Sequence, residues 1–285
     1  MMRRGGVLCI VGMLACLVLA GHARADEDRR VSVEGRCAVA GFTDRQAQGL
    51  ALRQARALAV EKAVGVRVEA ATLVTEGRLA GDFIRTLSQG CIVEESATWL
   101  PVEQYQPDPS RPPVVAYRVR LDATVRIPQG RPLLGLSARL NQAIFRARTE
   151  PMTIHMETAA PSRAAVFNLM ADDRVVMLYP DTDVPVLAVG RGIPLVLPPR
   201  DGGSLTLAPL PGDSRDTEAI LVAVAPRDAP FAWADVFVPG EPLPLAVFFA
   251  RYASLASQCE DVMLPYEVFE EKVPGNPGSP RRSGP

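Results

Sequence analysis

The sequence lacks the residue clusters that bind metals or carry out nucleophilic catalysis. It has only two histidines and five cysteines, with no C-x-x-C pair and no cluster of cysteine with histidine, so a structural zinc site is not expected. It also has no G-x-S-x-G pentapeptide, which presents the nucleophile in many serine hydrolases. We therefore predict no catalytic residue, no metal site and no cofactor, and hence a protein that is not an enzyme.

Long apolar runs are missing after the first 25 residues, and an excess of basic charge is missing too. Removing Arg3, Arg4 and Arg24 leaves 28 basic against 32 acidic residues, a formal charge of about −4. A nucleic-acid partner is therefore not expected, and neither is a transmembrane segment in the mature chain.

The remaining polar candidates are predicted to be turns or solvated surface. Asp181 and Asp183 lack the further acidic positions and the glycine of a calcium loop, and they follow a proline as turn residues do. His155 is predicted to lie on the surface of a strand. Because neighbours on a strand point to opposite faces, three acidic pairs are predicted to be solvated rather than to converge as acid and base: Glu94-Glu95, Asp172-Asp173 and Glu270-Glu271.

The first 25 residues are predicted to be a cleavable secretory signal peptide. Arg3 and Arg4 precede an uncharged apolar stretch of fourteen residues, Val7–Ala20, and Ala23-Arg24-Ala25 has the small-x-small pattern after which signal peptidase cuts. The stretch is shorter than the roughly 20 residues of a membrane-spanning helix. The mature chain is expected to begin at Asp26 and to be periplasmic or otherwise extracytoplasmic.

Two alternatives to plain cleavage stay open. In the first, the apolar stretch is a permanent anchor, although its length is against this. In the second, Cys16 is lipidated, because Met13-Leu14-Ala15-Cys16 loosely resembles the small-residue box before a lipidated cysteine. Since Cys16 lies inside the apolar stretch rather than at its end, plain cleavage is the leading prediction. Association with the outer membrane stays open with it.

The mature length is typical of two domains. We predict an α+β domain over residues 26–128 and a mainly β domain over residues 131–270, joined at Pro128-Gln129-Gly130. Residues 271–285 are rich in proline, glycine, serine and arginine and are predicted to be a disordered tail.

The N-terminal domain is predicted to be a helix packed on an antiparallel sheet. Alternating apolar residues predict a strand over Val31–Val39, and the capping box Thr43-x-x-Gln46 starts an alanine-rich helix over Asp44–Val64. The other predicted elements are a strand at residues 66–70, a short helix near Leu79–Leu87, and strands over Cys91–Leu100 and Ala116–Ile127.

The C-terminal domain is predicted to be sandwich-like. Short stretches of period two, separated by glycine, proline and aspartate turns, run from Leu134 to Ala225 and are typical of a β-sandwich or barrel. One helix near Leu245–Ser257 and an extended segment over Met263–Phe269 end the domain.

Three cysteines remain after cleavage: Cys37, Cys91 and Cys259. In an oxidising compartment Cys37 and Cys91 are a candidate disulfide that closes a long loop. Buried free thiols are the alternative. Of the aromatic residues, Trp99 and Trp233 are candidates for contacts with a partner, with packing in or beside the core as the alternative.

Several segments of the first domain follow a recognisable order: Val33-Glu34-Gly35-Arg36, an alanine-rich helix ending at Ala63-Val64-Gly65-Val66, Thr72-Leu73-Val74 with Gly77, and Tyr117-Arg118-Val119-Arg120. In this order and spacing, Val31–Ile127 resembles the N-terminal domain of the flagellar assembly protein FlgT and related small envelope lipoproteins. The resemblance implies an extracytoplasmic α+β module used in envelope assembly.

The second half has its own set of marker segments: Phe167-Asn168-Leu169, Leu178-Tyr179-Pro180, Gly190-Arg191 with Ile193-Pro194, and Leu264-Pro265-Tyr266-Glu267-Val268. It resembles a β-rich domain of unknown function that often follows the FlgT-like module. This domain stands in place of the later domains of FlgT.

Together these features predict a non-enzymatic envelope protein that acts through protein–protein contacts during assembly, with flagellar assembly as one candidate process. Its partners are expected to be envelope or assembly proteins. The alternative is a periplasmic binding module whose β-rich domain recognises a small ligand or an envelope polymer.

Overall fold

The computed structural model describes residues 26–39, 43–65, 89–106, 110, 112–199 and 203–271. Within these residues the protein is mostly β with few helices: an N-terminal helix packs on a three-stranded antiparallel sheet, and β-rich sheets follow. The predicted signal peptide, the strand and helix predicted between residues 66 and 87, and the tail beyond residue 271 lie outside the described residues.

The N-terminal sheet contains β1 (Glu27–Ala38), β2 (Cys91–Tyr105) and β3 (Val114–Ile127), in the order β1-β3-β2. The predicted alternation is confirmed from Val31 onward in β1 and from Tyr117 onward in β3, where every second residue is buried or partly buried against the helix. β2 is longer than predicted because it stays paired with β3 through two irregularities of register. Since β3 is central, β1 and β2 are the two edges of this sheet.

Helix α1 (Asp44–Val64) begins and ends at the predicted residues. The Thr43 hydroxyl accepts a hydrogen bond from the Gln46 amide at 3.3 Å, and the Gln46 side chain accepts one from the Thr43 amide at 3.0 Å. The capping box is therefore confirmed. Gly65 ends the helix with a φ of 82°, a left-handed conformation that glycine adopts without strain.

The packing of α1 on β1 depends on Gly35. A Cβ atom at Gly35 would lie 2.1 Å from the Ala51 carbonyl oxygen and 2.6 Å from the Ala55 amide nitrogen. We expect Gly35→Ala to lower the free energy of unfolding by about 1–3 kcal/mol, because the helix must move outward. Urea titration measures this loss.

Gly49 provides the matched control, since it lies within α1 and a Cβ atom there meets nothing within 4 Å. Gly49→Ala should raise the free energy of unfolding by up to about 1 kcal/mol through helix propensity. Equal stabilities for the two variants would show that the close approach at Gly35 does not hold α1 in place.

The largest sheet of the C-terminal half has seven strands, in the order β14-β9-β8-β13-β15-β5 with β10 also paired to β8. The pairing of β5 with β15 is parallel and the others are antiparallel. Its strands are β5 (Ile144–Arg146), β8 (Ser162–Leu169), β9 (Arg174–Tyr179), β10 (Leu187–Val189), β13 (Arg215–Pro226), β14 (Leu243–Pro244) and β15 (Glu260–Phe269).

Two smaller sheets and two short helices complete the described C-terminal half. One sheet has the order β11-β7-β4, and the other pairs β12 with β6. Their strands are β4 (Ser137–Leu140), β6 (Pro151–Met152), β7 (Ile154–Glu157), β11 (Leu195–Leu197) and β12 (Leu205–Thr206). The helices are α2 (Trp233–Val236) and α3 (Leu245–Tyr252), and a 3₁₀ turn follows at Ala256–Gln258. The helix predicted to reach Ser257 therefore ends as an α-helix at Tyr252.

Two buried clusters lie on the two faces of the seven-stranded sheet. The first joins α1 and the N-terminal sheet to residues of β8, β9, β13, α2 and α3. The second joins the other face to the β11-β7-β4 sheet. Because one continuous cluster spans both halves, the N-terminal sheet has a fixed position on the C-terminal half.

Candidate functional site

The edge strand β2 carries an exposed aromatic residue, Trp99. Trp99 lies directly opposite Val119 of the neighbouring strand β3, and 46% of its surface is exposed. Its ring meets that of Tyr117 edge to face, with 6.5 Å between the ring centres. This geometry fixes the indole ring while leaving nearly half of it open to solvent.

Further apolar side chains surround Trp99. A bulge in β2 places Pro101 and Val102 opposite the single residue Tyr117 of β3. Val102 is 58% exposed and Val115 is 44% exposed. We call Trp99, Val102, Val115 and Tyr117 the apolar end of the N-terminal sheet. α1 packs mainly on β1 and β3, and α3 packs on β2, but neither helix fully covers this end, since Trp99 and Val102 stay 46% and 58% exposed.

The face of the N-terminal sheet that points away from α1, here called the outer face, is charged. Arg126 binds Asp28 at 2.8 Å, and Arg118 and Arg120 both bind Glu34 at 2.9 Å. Hydrogen bonds from Arg120 and Arg118 lower the pKa of Glu34, and the hydrogen bond from Arg126 lowers that of Asp28. These pairs are exposed, so each contributes little to stability.

A hollow of about 590 Å³ lies on the outer face between these ion pairs. Two cross-strand rows line it, Arg30–Thr124–Glu94 and Ser32–Asp122–Ser96. Ser32 and Ser96, on either side of Asp122, have short side chains and therefore leave the hollow open. Among the described residues, the Arg30 and Asp122 side chains make no hydrogen bond or ion pair, so both are free to bind a polar group.

Two arginines of α1 hold the N-terminal sheet on the C-terminal half. Arg56 donates two hydrogen bonds to Glu95 of β2, at 2.7 and 2.9 Å, and one to Asp173 at 2.8 Å. Arg53 donates to the carbonyl oxygens of Met170, Ala171 and Thr217. We call Arg53, Arg56, Glu95 and Asp173 the arginine joint.

The arginine joint corrects part of the sequence analysis. Glu95 and Asp173 were predicted to be solvated, yet their side chains are only 15% and 26% exposed and both bind Arg56, whose side chain is 7% exposed. The prediction is wrong for Glu95 and Asp173 because it considered each acidic pair only within its own segment of the chain. Helix α1 brings the Arg56 guanidinium to both carboxylates. The signal in the sequence is Arg56 itself, which interrupts the buried alanine stripe of α1.

The predicted Cys37–Cys91 disulfide is not formed in this structure. Cys37 pairs with Tyr117 of β3, and Cys91 pairs with Arg126, nine residues further along the same strand. At about 3.3 Å per residue this separation is about 30 Å, whereas a disulfide needs Cα atoms within about 7 Å. Cys37, Cys91 and Cys259 are all buried free thiols, which agrees with the alternative interpretation.

Trp233 is not a surface contact. Its side chain is 4% exposed and packs edge to face on Phe167 and Phe231, and its indole N–H donates to the Arg163 carbonyl oxygen at 3.3 Å. The prediction of an interaction role for Trp233 is wrong because α2, which follows β13, brings Trp233 onto Phe167 of the seven-stranded sheet.

Of the remaining polar candidates, Asp181 and Asp183 lie in a turn and His155 lies on a strand. The Asp181 carboxylate accepts hydrogen bonds from the amides of Asp183 and Val184, so the predicted turn is confirmed. His155 lies on β7 between Arg139 and Val196 of the adjacent strands.

In the described residues, no group of three or more histidine, cysteine, aspartate and glutamate side chains is placed to hold a metal ion. None of the described helices is both long and apolar enough to cross a membrane.

A buried carboxyl group that the sequence did not indicate lies in the seven-stranded sheet. Glu218 is 6% exposed and accepts hydrogen bonds from the Tyr266 hydroxyl at 2.5 Å and from the Asn168 amide at 3.0 Å. Burial raises the pKa of Glu218, and hydrogen bonds from Tyr266, Asn168 and the Ala171 amide offset part of that rise. No cation contacts it among the residues that the structure describes.

The raised pKa of Glu218 predicts how the free energy of unfolding depends on pH. Because its pKa is raised in the folded state, its stabilising contribution is present at low pH and is lost as the pH rises through the folded value. The free energy of unfolding should therefore increase as the pH falls from neutral toward the ordinary pKa of a glutamate, about 4.3. Burial also raises the pKa of Asp216 and Asp261, so Glu218→Gln should reduce this increase without abolishing it.

Urea titrations at several pH values measure this dependence for the parent protein and for Glu218→Gln. Glu157→Gln is the control, since Glu157 is an exposed carboxyl group on β7, and it should keep the parent's pH dependence. An unchanged pH dependence in Glu218→Gln would contradict the prediction.

Comparison of the chain with known protein families finds no match, and no curated protein is significantly similar to it. The resemblance to the FlgT-like module therefore rests on the order and spacing of the residues quoted above.

Proposed function

We propose that this protein is an exported, non-enzymatic component of the cell envelope that acts through protein–protein contacts during assembly, with flagellar assembly as one candidate process. The signal-peptide pattern of residues 1–25 and the FlgT-like order of segments in Val31–Ile127 support this proposal. The C-terminal half, with its two packed β layers, serves in this proposal as a sandwich-like support for the N-terminal sheet.

The apolar end carries this proposal. It presents a tryptophan and a valine of the edge strand β2 and a valine of the central strand β3, with exposed fractions of 46%, 58% and 44% for Trp99, Val102 and Val115. Tryptophan is enriched among the residues that dominate binding energy at protein interfaces. The edge-to-face contact with Tyr117 fixes the ring before binding, which reduces the entropy lost when a partner docks.

Site-specific photo-cross-linking tests the proposal. Replacing Trp99 by a benzophenone amino acid and irradiating intact cells should give a specific cross-linked product with an envelope assembly protein, identified by mass spectrometry. The same replacement at Val186, which is 60% exposed in the C-terminal half, is the control and should not give that product. Identical products from both positions, or none from position 99, would count against the apolar end as an interface.

The hollow on the outer face favours a second candidate function, binding of a small polar ligand. From the sequence alone such a role is expected of the β-rich domain, whereas this hollow lies on the N-terminal sheet. The free side chains of Arg30 and Asp122 and the adjacent serine hydroxyls offer both donors and acceptors. A polar ligand that raises the melting temperature of the parent, but not of Asp122→Ala, would support this candidate.

A further inference from the structure

Cys91 and Cys259 lie in the same buried cluster although they belong to different halves of the chain. Cys91 is the first residue of β2, and Cys259 lies between the 3₁₀ turn and β15. Both are 0% exposed. α3, which leads into the turn before Cys259, packs directly on β2. The two thiols are therefore on the two sides of the contact between the N-terminal sheet and the C-terminal half.

The linker between the halves connects the surroundings of the two thiols. Cys91 pairs with Arg126 near the end of β3, and the chain then continues to Arg131, which donates to Asp261 at 2.8 Å. Asp261 is two residues beyond Cys259 and also accepts from the Tyr252 hydroxyl at 2.6 Å.

Glu260, the residue before Asp261, also attaches the linker to the start of β15. Glu260 accepts hydrogen bonds from the amides of Leu134 and Leu136 of the linker, at 2.5 and 3.2 Å. The linker therefore holds the end of β3, where Cys91 is paired, against the start of β15, which directly follows Cys259.

The electrostatic surroundings of the two thiols agree with this proximity. Burial raises the pKa of Cys91 and of Cys259 to about 12, and the charges of Asp261 and Arg131 act on both thiols. Cys91 is itself among the groups that raise the pKa of Cys259. Thiols with such a raised pKa are poor nucleophiles once buried, so any oxidation must precede complete burial.

We infer that Cys91 and Cys259 are joined by a disulfide when the protein folds in an oxidising compartment. Both thiols are free in this structure. Cys37 remains a free thiol because it lies near the opposite end of the N-terminal sheet. The disulfide would tie the first residue of β2 to the start of β15, across the contact between the halves.

The reaction is thiol–disulfide exchange with a disulfide oxidant, either a small disulfide or an oxidised dithiol protein. One S–S bond of the oxidant breaks and the Cys91–Cys259 S–S bond forms. The two cysteines lose two electrons and two protons, and the oxidant is released as two thiols. This inference shares with the proposed function only the extracytoplasmic location.

Thiol counting on the mature chain from Asp26 onward, which contains only Cys37, Cys91 and Cys259, tests the inference. The chain is reduced and unfolded, refolded in a buffer of reduced and oxidised glutathione, quenched in acid, and then counted for thiols in denaturant without reductant. We expect one free thiol in the parent and none in Cys37→Ala, and a peptide linking Cys91 to Cys259 in a non-reduced digest. The same count on protein taken from the envelope fraction, with thiols alkylated at lysis, tests the state in the cell.

Three free thiols after refolding, or a linkage that includes Cys37, would overturn the inference. One free thiol after refolding with three in the envelope fraction would overturn it for the cell. Neither outcome depends on the cross-linking partner at Trp99, so failure of the disulfide and failure of the proposed function are distinguishable. When the disulfide is present, reductant should lower the melting temperature by about 5–10 °C.

Discussion

Arg56→Ala is expected to lower the free energy of unfolding by about 3–5 kcal/mol, because it leaves the partly buried carboxylate of Glu95 without its cation and leaves Asp173 with only the longer contact to Arg53 at 3.5 Å. The Arg56 side chain is only 7% exposed and donates three hydrogen bonds to these two groups. Urea unfolding of the parent and the variant measures the loss.

Arg148→Ala is the matched control for this prediction. Arg148 binds Glu270 at 2.8 Å, the distance at which Arg56 binds Asp173, but the side chains of Arg148 and Glu270 are 66% and 44% exposed. An exposed ion pair contributes at most about 1 kcal/mol, so this variant should remain close to the parent. Similar losses in both variants would mean that burial does not strengthen the arginine joint.

Trp99→Ala is expected to weaken binding of the envelope partner captured at position 99 by at least about 30-fold, or about 2 kcal/mol. The indole ring offers a large, fixed apolar surface at the edge of the sheet, and alanine removes nearly all of it. The dissociation constant, measured with purified proteins by a surface-binding assay, gives the effect directly.

Two controls separate a lost contact from a lost fold. Trp99→Phe should retain most of the affinity, because it keeps an aromatic ring beside Tyr117. Val238→Ala, at a residue that is 54% exposed in the C-terminal half, should leave the affinity unchanged. Trp99→Ala should unfold within about 1 kcal/mol of the parent, since it loses one aromatic contact. Unchanged affinity in a folded Trp99→Ala protein would exclude the apolar end as the binding surface.

The two predictions describe two parts of one arrangement. The arginine joint and the shared buried cluster fix the N-terminal sheet on the C-terminal half, and Trp99 and Val102 of the apolar end stay 46% and 58% exposed on β2. A surface held rigidly in this way loses little entropy when a partner binds. A variant weakened at the joint should therefore bind less well even when Trp99 is intact.

The sequence by itself determined the local elements of the N-terminal half. The Thr43–Gln46 capping box and Gly65 fix the two ends of α1, because they satisfy or terminate backbone hydrogen bonds within a few residues. Alternation of apolar residues determined the strands β1 and β3 and the face that each buries. These signals are local, so no knowledge of the tertiary structure is needed to interpret them.

Tertiary structure alone decided the residues whose surroundings come from distant segments. Trp99 and Trp233 are equivalent candidates in the sequence, yet one lies at a sheet edge and the other is covered by Phe167 and Phe231. Likewise, strand order places Cys37 and Cys91 near opposite ends of one sheet. Burial and pairing depend on which elements pack together, and the spacing of residues along the chain does not record that choice.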